Sequence, residues 1–197
     1  IIVLFSKLLE SIIINTMKLI LIIMTIIFVS CDQSQVKILP QISNTEHIYS
    51  IDDFKNIGFK IGEKYENIDL DKSESVYWGF WKDKDADEGS ARFQSLGGSV
   101  GGMRDFEIRF YSSHSDAVEY GQVYAEDSSG EDAVLTKKNA MWPTGIKNRR
   151  TSGGPDGSPL PKYGGYAIYG NFIILCEGVN LEQSLETCSK LINELIN

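Results

Sequence analysis

The sequence predicts an α+β domain, in which helices cover one face of an antiparallel sheet. Three runs, SVYWGFW, DFEIRFY and FIILCE, alternate in apolar character or are rich in aromatic and branched residues, which is typical of strands. Two longer runs, SHSDAVEYGQVYAEDSSG and LEQSLETCSKLINELI, have helical spacing. The run YAIY-GN-FIILCE predicts a hairpin with its turn at Gly170-Asn171. The order strand, strand, helix, hairpin, helix favours an antiparallel sheet over a parallel one. A ferredoxin-like (split βαβ) arrangement is the specific prediction.

The first and last helices have recognisable ends. A short helix over IDDFKNIG begins after Ser50, which is a favourable N-cap residue, and ends at Gly58. The last helix begins after Asn180, and Gln183 stands at its third position, as in a capping box. These signals fix the helix boundaries independently of the apolar spacing.

The strand DFEIRFY has one apolar and one polar face. Its apolar positions are Phe106, Ile108 and Phe110, and the positions between and after them are Glu107, Arg109 and Tyr111. A period of two predicts a half-buried strand, with the first set toward the core and the second toward solvent.

An apolar segment near the N-terminus has the layout of an export signal. From Leu19 to Val29, Thr25 is the only residue that is not apolar, and Lys18 supplies a positive charge just before the run. The run is shorter than the roughly 20 apolar residues that span a bilayer. The alternative is one membrane anchor from about residue 11 to 29, which would bury Lys18 at a cost of about 2.5–3.5 kcal/mol.

The apolar segment ends in FVSC, which resembles the lipobox of bacterial lipoproteins, with Phe28 in place of the usual Leu. The resemblance implies cleavage before Cys31, lipid attachment to that cysteine, and anchoring in the cell envelope outside the cytoplasmic membrane. Asp32 directly after the cysteine further implies retention at the periplasmic face of the inner membrane. An ordinary signal peptide or an anchor, with an incidental cysteine, is the alternative.

These features divide the chain into four expected segments. Residues 1–16 are expected to be a non-native upstream extension, with Met17 as the true start. Residues 17–30 form the signal peptide, residues 31–49 a lipidated tether, and residues 50–197 a single α+β domain.

The other two cysteines are expected to form a disulfide. With Cys31 lipidated, Cys176 and Cys188 remain in a compartment that oxidises thiols. Cys176 lies in the strand FIILCE, and Cys188 lies on the apolar stripe of the last helix. A helix folded back onto this strand would bring the two sulfurs together. The alternative is a pair of buried thiols that pack as small apolar groups.

The exported part of the chain is acidic. The whole sequence has 19 basic and 27 acidic residues, and removing Lys7, Lys18 and Glu10, which precede Cys31, leaves 17 and 26, a net charge of about −9. Nucleic acid is therefore not expected as a partner, because phosphate binding needs a basic surface. The glycine run GGSVGG lacks the Lys-Ser/Thr ending of a phosphate-binding loop, and no cofactor is predicted.

One acidic loop resembles a calcium-binding sequence only in part. Asp83, Asp85 and Asp87 stand at alternate positions, as ligands of a calcium loop do. An EF-hand would have Gly at the sixth position and Glu at the twelfth, where this chain has Glu88 and Gln94. The three aspartates are weak candidates, and no metal site is expected.

The chain has two histidines, His47 and His114, which is too few for a multi-histidine zinc site. His114 stands at a strand-to-helix junction, and a hydrolase would have to use it with an acidic neighbour such as Asp116. No G-x-S-x-G nucleophile motif accompanies it. No catalytic residue is therefore predicted.

Two other features of the sequence are not needed to form the fold and are therefore candidates for ligand binding. In SVYWGFW, alternation places Trp78 and Phe80 on one face and Tyr77 and Trp81 on the other, so that one pair is expected in the core and the other is free to stack on a sugar or peptide. The Pro/Gly/Ser-rich loop over residues 143–165 contains a basic cluster that suits a carboxylate or phosphate. The ligand-binding candidates are Trp81, Trp142, Lys147, Arg149 and Arg150.

The sequence therefore predicts a lipid-anchored extracytoplasmic protein that is a non-enzymatic binding or accessory module. Its expected partners are the membrane, through the lipid, and a small anionic or sugar ligand or an envelope protein. One alternative is an assembly subunit of an envelope complex, which predicts an exposed apolar patch around Trp81 or Trp142. The less favoured alternative is a hydrolase that uses His114.

Overall fold

The computed structural model describes residues 15, 16, 18, 37–66, 69–84, 102–152 and 157–197. The chain divides into two compact units, residues 1–35 and 36–197, and the fold below is that of the second. Cys31, the predicted lipidation site, and Asp85 and Asp87 of the acidic loop lie outside the described residues. No helix within the described ranges is both long and apolar enough to cross a membrane.

A mixed six-stranded sheet forms the centre of the fold. Its strands, in chain order, are β1 (Ile42–Ser43), β2 (Lys60–Lys64), β3 (Ser73–Lys82), β4 (Met103–Tyr111), β7 (Tyr163–Tyr169) and β8 (Phe172–Glu177). They lie side by side in the order β1-β7-β8-β4-β3-β2. All neighbours are antiparallel except β1, which runs parallel to β7. Two short strands, β5 (Arg150–Ser152) and β6 (Pro159–Pro161), form a separate antiparallel pair.

Three helices pack on this sheet in the described part of the chain. Helix α1 is Ile51–Asn56, and helix α3 is Leu181–Ile196. Helix α2 runs from His114–Asp116 through a π-helical turn, Ala117–Gly121, to Gln122–Ser128. The α3 face of the sheet carries α1 and α3, and the α2 face carries α2.

The α+β class is confirmed, whereas two finer expectations differ from the structure. The sheet is mixed rather than antiparallel, because residues 42–43 of the expected tether pair in parallel with Ile168 and Tyr169. Helices cover both faces rather than one, and the ferredoxin-like arrangement is not confirmed. A two-residue strand is too short to show a period of two, so β1 has no signal in the sequence.

The α3 face is covered by an apolar core. Phe54 of α1 is fully buried at its centre, with its ring 5.1–6.0 Å from those of Phe59, Phe110 and Phe172 in edge-to-face contacts. Burying one such side chain stabilises the fold by about 1.5–3 kcal/mol. Ser50 begins α1 with a reciprocal capping box, so the predicted helix start is confirmed.

The predicted disulfide is present between β8 and α3. Cys176 and Cys188 are joined, with their Cα atoms 5.6 Å apart and both residues buried. Cys176 shares the α3 face of β8 with Phe172 and Ile174, as strand alternation requires. Asn180 starts α3 by accepting a hydrogen bond from the backbone N–H of Gln183, which fixes where the helix folds back.

The α2 face of β4 is buried, contrary to the expectation of a solvent-facing polar side. Glu107, Arg109 and Tyr111 all have 0 % exposure. Helix α2 and the segment of residues 129–152 fold over them, which we call the covering segment. Alternation therefore predicts correctly which residues share a face, but it does not reveal that a later segment closes that face.

Reducing the disulfide should destabilise the domain. A cross-link that closes a loop with a sequence separation of 12 should contribute about 3 kcal/mol through the lost entropy of the unfolded chain. We expect the Cys176→Ala/Cys188→Ala double variant to lose about this much free energy of unfolding in urea titrations. Cys31→Ala is the control, and it should unfold at the wild-type urea concentration. Equal midpoints for all three proteins would contradict a stabilising disulfide.

Candidate functional site

A network of charged side chains lies on the α2 face of the sheet. Asp105, Glu107 and Arg109 follow one another at alternate positions of β4, and Arg149 reaches them from the covering segment. Each of the four is at most 3 % exposed. Charges buried this deeply are stable only when they are paired and hydrogen-bonded.

Glu107 is held between two guanidinium groups. Its Oε1 atom accepts from Arg109 Nε at 2.8 Å and contacts Arg109 Nη2 at 2.7 Å, while its Oε2 atom accepts from Arg149 Nε at 2.7 Å. Burial raises the pKa of the Glu107 carboxyl, but the attraction of the Arg149 and Arg109 charges outweighs burial and leaves this pKa below its usual range. Glu107 is therefore ionised throughout the neutral range.

Arg149 also fixes the covering segment. Its Nη1 atom donates to the carbonyl of Trp142 at 3.0 Å, and its Nη2 atom donates to the carbonyl of Thr144 at 2.7 Å. The Trp142 ring lies 4.3 Å from Arg149 Cζ and 5.2 Å from Arg109 Cζ, both distances measured to the ring centroid. The indole thus packs against both cations, an arrangement that is favourable in a desolvated site.

Asp105 is the centre of the outer part of the network. Its Oδ1 atom accepts from Trp78 Nε1 at 2.7 Å and from the Tyr163 hydroxyl at 2.6 Å, and its Oδ2 atom accepts from Lys162 Nζ at 2.8 Å. Burial raises the pKa of the Asp105 carboxyl more than Lys162 and the other donors lower it. Burial and the Asp105 charge also raise the pKa of Tyr163 well above its ordinary value.

Next to Asp105, a pair of aromatic rings is partly exposed at the protein surface. Trp78 and Phe80 are half-buried, with their ring centroids 4.7 Å apart. Lys162 Nζ lies 5.6 Å from the centroid of the Trp78 ring. The ring also lies against Gly62 of β2, where a Cβ atom would collide with it. The missing side chain at Gly62 therefore leaves room for the indole beside the edge strand.

Two further lysines border these rings. Lys60 is paired across the sheet with Phe80, and Glu63 is paired with Trp78, so their side chains share the α2 face with the rings. Lys147 Nζ lies 3.3 Å from Glu63 Oε2, and the Lys147 side chain is 69 % exposed. We call the set formed by Lys60, Trp78, Phe80, Lys147 and Lys162 the lysine–aromatic surface.

The structure does not bring the predicted ligand-binding residues to one place. Trp81 is 5 % exposed on the α3 face, where its indole N–H donates to the carbonyl of Ile57, and Trp142 is 1 % exposed on the α2 face. Neither indole provides an exposed apolar surface. Arg149 is buried on Glu107, and Arg150 is exposed on β5. Of the five candidates, Lys147 is the one that borders the half-exposed aromatic pair.

The remaining candidate residues have structural contacts. His114 Nδ1 lies 2.9 Å from the carbonyl oxygen of Gly170, and the Asp116 carboxylate accepts from the hydroxyl groups of Ser112 and Ser113.

Asp83 is 5 % exposed and pairs with Lys190 Nζ at 3.1 Å. Within the described ranges, no group of three or more His, Cys, Asp or Glu residues is arranged to hold a metal.

Sequence reasoning missed Asp105 and Lys162 as site residues. Alternation did place Trp78 and Phe80 together, opposite Tyr77 and Trp81, and the strand register shows the same division. Lys162 lies in a Pro/Gly-rich stretch that shows neither the helical nor the strand period. It contacts Asp105, which is 57 positions away in the sequence. A contact of that range leaves no local signal.

Residues 50–197 match the family described as "Family of unknown function (DUF6810)", and the chain belongs to this family. No curated protein and no solved structure matches the chain.

Neutralising Glu107 should strongly destabilise the domain. Glu107→Gln leaves two buried guanidinium groups without their carboxylate, and breaking a buried ion pair costs about 3–5 kcal/mol. We expect a loss of this size in the free energy of unfolding at pH 7, measured by urea titration. Asp52→Asn, which breaks the exposed pair with Lys55, is the control and should change stability little.

The pH dependence of stability in wild type and in Glu107→Gln provides a second test. The folded pKa of Glu107 is lowered, so its contribution to stability is full above the unfolded pKa of about 4.3 and is lost as the pH falls through the folded pKa. The stability difference between wild type and Glu107→Gln should therefore shrink at acidic pH. A difference that is constant from pH 7 to pH 2 would contradict an ionised Glu107.

Proposed function

We propose that this member of the family is a non-enzymatic binding module, anchored by lipid at Cys31 outside the cytoplasmic membrane, whose lysine–aromatic surface binds an anionic saccharide. The observation that carries the proposal is the half-exposed Trp78–Phe80 pair bordered by three lysines, in a chain with a net charge of −8. The surface thus combines two aromatic rings with three lysines, against the two carboxylates of Glu63 and Asp105, in a protein that is acidic as a whole.

The two aromatic rings favour a ligand with an apolar ring face. Tryptophan and phenylalanine offer flat surfaces with large contact areas, and Trp78, which the network already orients, loses little side-chain entropy on binding. Trp78 is fixed at its indole N–H by Asp105 and on its ring by Gly62 and Lys162. A sugar ring presents C–H groups on one face and hydroxyl groups at its edge, which suits a rigid aromatic platform with polar neighbours.

The lysines favour an anionic ligand over a neutral one. Each ammonium group has three donors, and the Lys162 ammonium uses one of them on Asp105. The Lys60 and Lys147 side chains are exposed, so they can turn toward a carboxylate on a bound sugar. A uronic acid unit combines the ring and the charge that this surface can recognise.

The buried carboxylates support a binding role rather than a catalytic one. Asp105 accepts three side-chain hydrogen bonds, and both oxygens of Glu107 are held by arginines. Carboxylates fixed in this way orient the surface above them. The ring of His114 is bound to the Gly170 carbonyl through Nδ1.

Two features support a location outside the cytoplasmic membrane. The disulfide between Cys176 and Cys188 is compatible with an oxidising compartment, and the FVSC sequence resembles a lipobox. Together they are consistent with an exported, lipid-anchored protein.

Binding should require the aromatic platform. We expect wild type to bind hexagalacturonate in calorimetric titrations and Trp78→Leu to bind it about ten-fold more weakly, which corresponds to about 1.4 kcal/mol of lost contact. Because Trp78 also donates to Asp105, the Lys60→Ala/Lys147→Ala variant tests the surface without touching the buried network. It should weaken binding by a similar factor and reduce its dependence on salt.

Matched controls separate the ring from the charge. Tyr120→Leu removes a second ring that lies near a lysine, Lys72, elsewhere on the protein, and it should leave binding unchanged. Maltohexaose offers the ring without the charge, and citrate offers the charge without the ring, so both should bind more weakly than hexagalacturonate. Equal binding of hexagalacturonate by wild type, Trp78→Leu and Lys60→Ala/Lys147→Ala, or no binding of any probe, would refute the proposed ligand class.

Anchoring should require Cys31. In a bacterial host, the wild-type chain should be labelled by radioactive palmitate, fractionate with membranes and accumulate as a precursor when globomycin blocks the lipoprotein signal peptidase. Cys31→Ser should lose the label, while Cys188→Ser, the matched control, keeps it. Unchanged processing and membrane attachment of Cys31→Ser would rule out the lipid anchor and leave the proposed ligand site untouched.

A further inference from the structure

The inner part of the charge network contains polar atoms that the fold does not satisfy. Arg109 Nη1, Trp142 Nε1 and the Tyr111 hydroxyl are buried and have no hydrogen-bond partner in the described part of the protein. Their residues are 0 %, 1 % and 0 % exposed. A buried polar group without a partner costs about 1–3 kcal/mol, so the two donors on neighbouring side chains, Arg109 Nη1 and Trp142 Nε1, require a physical explanation. The Tyr111 hydroxyl lies against Gly121 of α2.

The unsatisfied atoms lie where positive charge is in excess. Arg109 and Arg149 share the single carboxylate of Glu107, and all three are buried. The Arg149 donors are used by Glu107 and by two backbone carbonyls, and Arg109 uses Nε and Nη2 on Glu107 and Ser128. Arg109 Nη1 is therefore the free end of the uncompensated cation.

Trp142 places a second donor beside that cation. Arg109 Cζ lies 5.2 Å from the centroid of the indole ring. The indole N–H and the guanidinium N–H groups can only donate. An anion accepts from both donors and also balances the charge.

We propose that Arg109 Nη1 and Trp142 Nε1 form an internal binding site for a small monovalent anion of the halide class. The enclosure by fully buried side chains favours a monatomic ion over a carboxylate or a phosphate. The bound anion would compensate the second guanidinium and tie the covering segment, through Trp142, to β4. This site is separate from the lysine–aromatic surface and does not depend on the proposed function.

The test is the thermal stability of the purified protein at constant ionic strength. Sodium chloride replaces sodium gluconate stepwise, because gluconate is too large for an enclosed site. An ion that binds only the folded state raises Tm in a saturable way. We expect a rise on the order of 2–4 °C, which corresponds to about a five-fold change in the folding equilibrium for a chain of this size.

Variants assign the response to the proposed ligands. Arg109→Met removes the uncompensated charge and leaves the neutral Glu107–Arg149 pair, and Trp142→Phe removes only the indole donor while it keeps a ring between the cations. Both should lose the chloride response. Trp81→Phe is the matched control, since its indole N–H is already bound to the Ile57 carbonyl, and it should keep the response. If Arg109→Met does not fold, the comparison between the chloride responses of Trp142→Phe and Trp81→Phe tests the proposal.

Crystals grown in bromide give an independent result. An anomalous peak within hydrogen-bond distance of Arg109 Nη1 and Trp142 Nε1 is expected. Water at that position without an anomalous signal, an equal Tm of the wild type in chloride and gluconate, or a full chloride response in Trp142→Phe would each overturn the proposal.

Discussion

The ion triad of Glu107, Arg109 and Arg149 is the constraint on which the α2 side of the molecule depends. Glu107 and Arg109 belong to β4, a central strand, whereas Arg149 lies 42 positions later in the chain. Glu107 lies between the two guanidinium groups, and without it both would be buried charges with a large desolvation cost. The triad therefore couples the closure of the covering segment to the correct formation of the sheet.

The two faces of the sheet are stabilised by different means. On the α3 face, apolar side chains and the Cys176–Cys188 disulfide hold helix α3, and such contacts tolerate small shifts in position. On the α2 face, directional hydrogen bonds among charged groups set the positions of the covering segment and of Lys162. Asp105 accepts hydrogen bonds from both Trp78 and Lys162, so it fixes the positions of two members of the lysine–aromatic surface.

Helix-capping residues and strand alternation predicted the features that depend on neighbouring residues. Contacts between residues far apart in the sequence were not predicted. The capping residues Ser50 and Asn180 start helices as expected, and alternation correctly paired Cys176 with the face that meets α3. The burial of Glu107 and Arg109 was not predictable, because α2 and residues 129–152 cover them through contacts that are distant in sequence. The basic cluster there suggested a solvent-facing ligand site, yet Arg149 points inward and pairs with a carboxylate that the sequence places on another element.

Burial of the three charged side chains carries a desolvation cost that apolar side chains of the same volume would avoid. Apolar packing, however, would accept the covering segment in several registers. Arg149 favours one register, because its Nε, Nη1 and Nη2 groups must meet Glu107 and the carbonyls of Trp142 and Thr144 at the same time. That single register brings Lys147 next to Glu63 and so to the edge of the Trp78 ring. The position of one exposed lysine at the proposed ligand surface thus follows from an ion pair that solvent does not reach.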